Sequence, residues 1–226
     1  MISPALCNVY LHRLDRQWDV REFGVLVRFA DDLLVMCKSR QQAEAALARL
    51  RQLLADLGLE PKEARTRIVG LEEDGPGFDF PGFRHQMVRS RGLRGTRGVV
   101  FLARWPADKA MQHARDRIRE LTGRSRQLLG VEAVVRDVNT FPRGWAAYFR
   151  YGHSSLRFDK IREYALNRLA IYIGGRHKRG RAFGLNVVAC RSPGQCGLIR
   201  LTGTVVPPRA SKPWRDKPNT GGERRR

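Results

Sequence analysis

The chain has 226 residues, 42% hydrophobic and 29% charged, a balance that excludes a wholly disordered or fibrous protein. Lys+Arg 43 against Asp+Glu 22 leaves a net charge of +21, which calls for a polyanionic partner, nucleic acid first and an anionic membrane second. No apolar run approaches the ~18–20 residues of a membrane span, and no charged segment followed by an apolar one opens the chain as in a signal peptide.

Charge is unevenly placed. Residues 1–80 carry 11 basic and 13 acidic side chains, residues 81–226 carry 32 and 9. Of the basic residues 36 are Arg, whose planar fork pairs with phosphate and stacks on bases. Codon bias from a GC-rich genome accounts equally well for Arg over Lys, but not for the asymmetry along the chain. Cys7, Cys37, Cys190 and Cys196 include no C-x-x-C, so reduced thiols are expected rather than a zinc ribbon or redox motif.

In chain order, Ser3-Pro4 has helix-start chemistry, and Ala5, Leu6, Val9, Tyr10, Leu11 and Leu14 follow at helical spacing. Val25–Cys37 holds two apolar runs around Asp31-Asp32, a β-hairpin with an acidic pair at its tip. Ser39 and Gln42 form a capping box. Ala43, Ala46, Leu47, Leu50, Leu53, Leu54 and Leu57 make one stripe of the helix that follows, and Gly58 ends it. Thr66–Val69 is expected as a strand, and Phe78–Phe83 as a short aromatic strand or turn. Arg84–Arg104 alternates Arg and Gly and reads as a basic hairpin or linker. Three basic helices are then expected: from Asp108, with Met111, Ala114, Ile118 and Leu121 inward; over Val131–Phe149; and from Phe158 to about Tyr172. Val187–Leu201 is expected as a β-hairpin around Ser192-Pro193-Gly194. The Pro-, Gly- and Arg-rich stretch from Pro207 is expected to be disordered.

The sharpest chemical feature is Asp31-Asp32. Two adjacent carboxylates between apolar strands suit a divalent cation, as in phosphoryl transfer. An ordinary solvated turn also favours aspartate. His12, His85, His113, His153 and His177 form no ligand pattern, and Cys190 and Cys196 with His177 make no zinc site.

In order and spacing, ISPALCNVYLHRLD, VRFADDLLVMCKSRQQAEAALARL, LGLEPKEARTRIV and FDFPGF resemble the later palm motifs of group II intron-type reverse transcriptases. DKAMQHARDRIRELT and VNTFPRGWAAYFRYGHSSLRFDKIREYALNRL resemble the maturase-specific thumb (X) domain of the same family. The resemblance covers roughly residues 2–182. It implies an α+β fold: a partial polymerase palm over 1–85, a basic linker or hairpin over 86–106, a helical thumb over 107–182, and a short β-hairpin and basic tail over 183–226.

Asp31 and Asp32 would then be catalytic metal ligands, with Mg²⁺ as the ion. Lys62, Arg65 and Arg67 would lie near a template–primer duplex. Lys109, Arg117, Arg143, Arg150, Arg176, Lys178 and Arg179 would face RNA. Gly144, Trp145, Tyr148 and Phe149 would form the packed heart of a thumb helix; plain core packing is weighed there above base stacking. The implied partners are structured intron RNA and an RNA template/DNA primer duplex, in a bacterial cytoplasm.

The family's third aspartate, its fingers and its glycine-rich turn lie in earlier motifs not found in this sequence. The chain is therefore expected to be a gene fragment, a degenerate copy, or one half of a split protein whose N-terminal half lies on another chain, and to bind intron RNA and support splicing more than it polymerises. Extension of a primer by this chain alone would go against that expectation and would point to another carboxylate, Asp15 or Asp79, as completing the site. The competing readings are a reverse transcriptase of another retroelement or of a CRISPR-associated type, and a plain basic RNA-binding module.

Overall fold

The computed structural model describes residues 3–90, 98–191 and 195–206. The chain divides into two compact units, Met1–Ala110 and Met111–Arg226.

The first unit opens with helix α1 (Ser3–Gln17). The side chains of Ser3 and Pro4, expected to start it, lie outside the described set. Its apolar run splits between two faces. Cys7, Leu11 and Leu14, with Trp18 just beyond, pack into the core, while Leu6, Val9 and Tyr10 are exposed. A short helix unforeseen in the sequence, α2 (Val20–Phe23), follows; the Asp19 side chain caps it by accepting from the Arg21 and Glu22 amides. Gly24 then turns with φ +85, and a Cβ there would meet the Met36 carbonyl oxygen at 2.4 Å, so only glycine leads α2 into the hairpin.

Strands β1 (Val25–Phe29) and β2 (Asp32–Met36) pair antiparallel, Phe29 opposite Asp32. Helix α3 (Arg40–Ala55) covers them with Ala46, Leu50, Leu53 and Leu54. The Ser39 hydroxyl accepts from the Gln42 amide (3.1 Å), as a capping box requires, but the Gln42 side chain reaches one residue further back, to the Lys38 amide (2.8 Å). Gly58, at φ +68, closes α3: its own N–H donates to Ala55 and that of Leu59 to Leu54, the Schellman pattern.

Residues 66–69 form no strand. They follow a 3₁₀ turn (Glu63–Arg65) in irregular backbone, and among the described residues no strand pairs with them as a β-branched run needs. Strands β3 (Phe78–Phe80), β4 (Phe83–Arg89) and β5 (Val100–Pro106) make a three-stranded antiparallel sheet in sequence order.

The second unit is helical. Helix α4 (Asp108–Leu121), which begins in the first unit, buries Met111, Ala114 and Ile118. Helix α5 (Val131–Phe149) buries Val134, Val135, Val138, Trp145 and Phe149. Helix α6 (Ser155–Arg176) buries Phe158, Ile161, Ala165, Leu169 and Tyr172. Helix α7 (Arg181–Leu185) runs into a π-helical turn (Asn186–Arg191), so residues 187–191 are helical where a β-hairpin is expected. Val188 is wholly buried there, and helical backbone buries it against α6 without an edge strand to satisfy. The 192–194 turn and the stretch from 207 lie outside the described residues.

Candidate functional site

The hairpin tip is a two-residue loop, Ala30-Asp31, between paired Phe29 and Asp32. Ala30 has φ +53, the positive first central angle that tight hairpins use. That angle strains a residue with a Cβ, so something must hold it. Arg28 does: its guanidinium donates to the Ala30 carbonyl (3.3 Å), to Asn8 Oδ1 (2.7 Å) and, as a fork, to both oxygens of Asp15 (3.1 and 2.6 Å). The Asp15 carboxylate raises the Arg28 pKa above its ordinary value despite partial burial. The clamp ties the tip to α1, and Asn8, Val9, His12 and Arg28 line a shallow cleft beside it.

Asp31 and Asp32 are both exposed, and no hydrogen bond or ion pair engages either among the described residues. Their carboxylates are the hard oxygen donors a divalent cation takes. Among the described residues no third acidic, His or Cys ligand joins them. Asp15 is spent on Arg28, and Asp79 pairs with Arg84 (3.2 Å).

Lys62, Arg65 and Arg67 are exposed around the 3₁₀ turn after α3. Lys109, at the end of the first unit, and Arg117, Arg143, Lys178 and Arg179 in the second are exposed, but they are not equivalent. Arg117 is paired with Glu120 (2.7 Å). Arg179 lies over the Phe183 ring at 4.9 Å. Arg150 is half-buried, its guanidinium 5.2 Å from the Tyr151 ring centre and its Nε without an acceptor. Arg176 is largely structural: it donates to the Gln127 and Leu129 carbonyls.

The expected packed heart of α5 divides. Trp145 and Phe149 are buried, their rings 4.9 Å apart. Gly144 and Tyr148 are exposed, because they fall off the inward stripe by about a third of a helical turn.

Residues 1–105 match the reverse transcriptase (RNA-dependent DNA polymerase) family, and residues 111–186 match the group II intron, maturase-specific domain. The chain belongs to the group II intron reverse transcriptase/maturase family. No curated protein matches it. None of the alternative readings, a reverse transcriptase of another retroelement or of a CRISPR-associated type or a plain basic RNA-binding module, has support beside the maturase-specific match.

In this reverse transcriptase/maturase several working residues escape sequence reasoning. Arg28 looks like one more basic residue in a strand; only its position opposite α1 gives it three partners. Arg168, Tyr172 and Arg176, each one turn apart on α6, clasp the loop after α4. Arg168 bonds to Thr122, and the Tyr172 hydroxyl to the Leu129 (2.6 Å) and Arg126 (3.0 Å) carbonyls. The i, i+4, i+8 spacing was legible, but its target was not.

Proposed function

We propose that this chain binds structured intron RNA through its maturase-specific helices and supports splicing, and that Asp31 and Asp32 are carboxylates of an RNA-directed DNA polymerase site. The observation that carries this reading is the Phe29-Ala30-Asp31-Asp32 tip, two carboxylates held out without partners inside a reverse-transcriptase match. The maturase-specific match in the same chain and the excess of basic over acidic residues in residues 81–226, 32 against 9, support the RNA-binding half. Members of this family use divalent metal ions, and Mg²⁺ is the ion we assign to Asp31 and Asp32.

When bound, such an ion stabilises charge on the reacting phosphate and activates the attacking hydroxyl. The chain's own part is positional. Arg28 holds the Ala30 carbonyl and so fixes the tip, and Asp31 and Asp32 present oxygens there. Two carboxylates alone do not set the geometry of in-line attack, so polymerisation requires a further carboxylate at the tip. The setting we propose is a bacterial cytoplasm, in association with nucleic acid.

Primer extension on an RNA template tests the catalytic half. The chain alone is expected to incorporate no more dNTP than the Asp31→Ala/Asp32→Ala variant. A polypeptide carrying fingers and the first palm motif, supplied in trans, is expected to restore extension only when Asp31 is intact. Robust extension by the chain alone would overturn this account of the site.

A further inference from the structure

The outward face of α5 near its C-terminal end has an unusual make-up. Gly144 and Ala147 are exposed and small, and a Cβ built on Gly144 would meet nothing within 4 Å. Two tyrosines follow close by in the chain, Tyr148 with 48% and Tyr151 with 51% of its surface open. Large rings left half in water cost hydrophobic stabilisation unless something covers them. The cations here are also unspent. Among the described residues neither Arg143 nor Arg150 has a carboxylate partner, whereas Arg117, Arg119 and Arg126 do.

We infer that Tyr148 and Tyr151, with Arg143 and Arg150, form a stacking platform for unpaired RNA bases. This rests on the RNA-binding reading above and narrows it to a strand type and a place. Each base has an apolar face that covers a tyrosine ring, and stacking of this kind does not depend on sequence. The phosphates of the same strand would sit against two unneutralised guanidiniums, one of them already aligned on the Tyr151 ring. The shallow stretch at Gly144 and Ala147 lets a backbone approach the helix closely. A paired duplex hides its base faces in its own stack and has nothing to offer the rings.

Charge decides between possible occupants. Residues 131–182 hold 11 basic and 4 acidic side chains, which suits a polyanion. The chain's own stretch beyond Val206, whose amide bonds the Arg150 carbonyl (2.7 Å), carries 7 basic and 2 acidic residues, a charge of the same sign as this surface rather than its complement.

The test uses the full chain and two labelled RNAs of equal phosphate number, an unstructured single strand and a fully paired hairpin, with binding followed by fluorescence anisotropy across a salt series. Tyr148→Ala is expected to weaken single-strand binding roughly 10-fold or more and to leave the hairpin nearly unchanged. Tyr148→Phe should keep the affinity. Tyr148→Leu, which keeps apolar cover over the helix, should lose it as the alanine does. None of the three should change the salt slope, since no phosphate contact is removed; Arg143→Ala should lower it for the single strand. Equal losses on both RNAs, or none, would overturn the platform while leaving RNA binding standing. No salt-dependent binding of either RNA by the unaltered chain would overturn the RNA-binding reading itself.

Discussion

His85 lies on β4, stacked on Phe78 with ring centres 4.9 Å apart and tilted against Phe83 at 6.4 Å; its Nε2 donates to the Phe80 carbonyl (3.0 Å). Burial between these rings pushes its pKa below the ordinary histidine value of 6.5, further helped by Arg104; the Phe80 carbonyl opposes the shift. The neutral imidazole is therefore the folded form. Its contribution is complete above pH 6.5 and is lost as pH falls through the lower, folded value. Unfolding followed from pH 7.5 to 4.5 should show this loss, and His85→Phe should flatten that part of the profile. An unchanged profile would mean His85 is not a charge sensor of this sheet. Trp145 and Arg143 make a second contrast, two residues apart on α5. Trp145→Ala empties a buried site and is expected to cost about 3–5 kcal/mol. Arg143→Ala, on the open face, should leave the melting temperature alone and weaken RNA binding. Thermal melts and filter binding on the two variants read both.

Elements owe their placing to small contacts. Helix α7 can lie on α6 because Gly184 has no side chain: a Cβ there would come within 1.8 Å of the Ala170 carbonyl oxygen. Gly144 also stands in a helix, but in open space. The same substitution should therefore act in opposite directions. Gly184→Ala should destabilise the second unit by roughly 1–3 kcal/mol through overpacking. Gly144→Ala should stabilise it by about 0.5–1 kcal/mol, since alanine loses less backbone freedom in a helix. Urea titrations decide this, and two shifts of the same sign would refute the packing argument. At the N-terminal end of α3, Ser39→Ala removes the acceptor for the Gln42 amide and should cost about 1 kcal/mol.

Taken whole, the molecule concentrates its charge. The first unit holds 18 basic and 14 acidic residues, the second 25 and 8. RNA affinity should fall steeply with salt as phosphate contacts release counterions. The structure separates cations that can serve such contacts from those that hold the fold. Lys178→Ala and Arg179→Ala together should lower the log–log salt slope by about 2. Arg176→Ala should instead lower the stability of the second unit, because its guanidinium bonds the Gln127 and Leu129 carbonyls. Binding isotherms at four salt concentrations, with melts on the same samples, would tell the two kinds apart; equal slopes for all variants would count against this division. No described helix is long and apolar enough to cross a membrane.

What the sequence by itself determined was whatever repeats at short range. Helices α3, α4, α5 and α6 follow from apolar spacing, the β1–β2 hairpin from two apolar runs about Asp31-Asp32, and the end of α3 from Gly58. These signals are local because a helix face and a hairpin turn are set within a few residues. Tertiary structure decided the rest, through partners far away in the chain. Residues 66–69 have strand composition but pair with no strand among the described residues, while Val187–Arg191 turn helical to bury Val188. Leu6, Val9 and Tyr148 look apolar enough for a core and are left outside, since burial depends on which helix face meets a neighbour. The acidic pair could be read from the sequence. The clamp that holds it, Asp15–Arg28–Ala30, could not, because a guanidinium finds its acceptors only when α1 and β1 lie side by side.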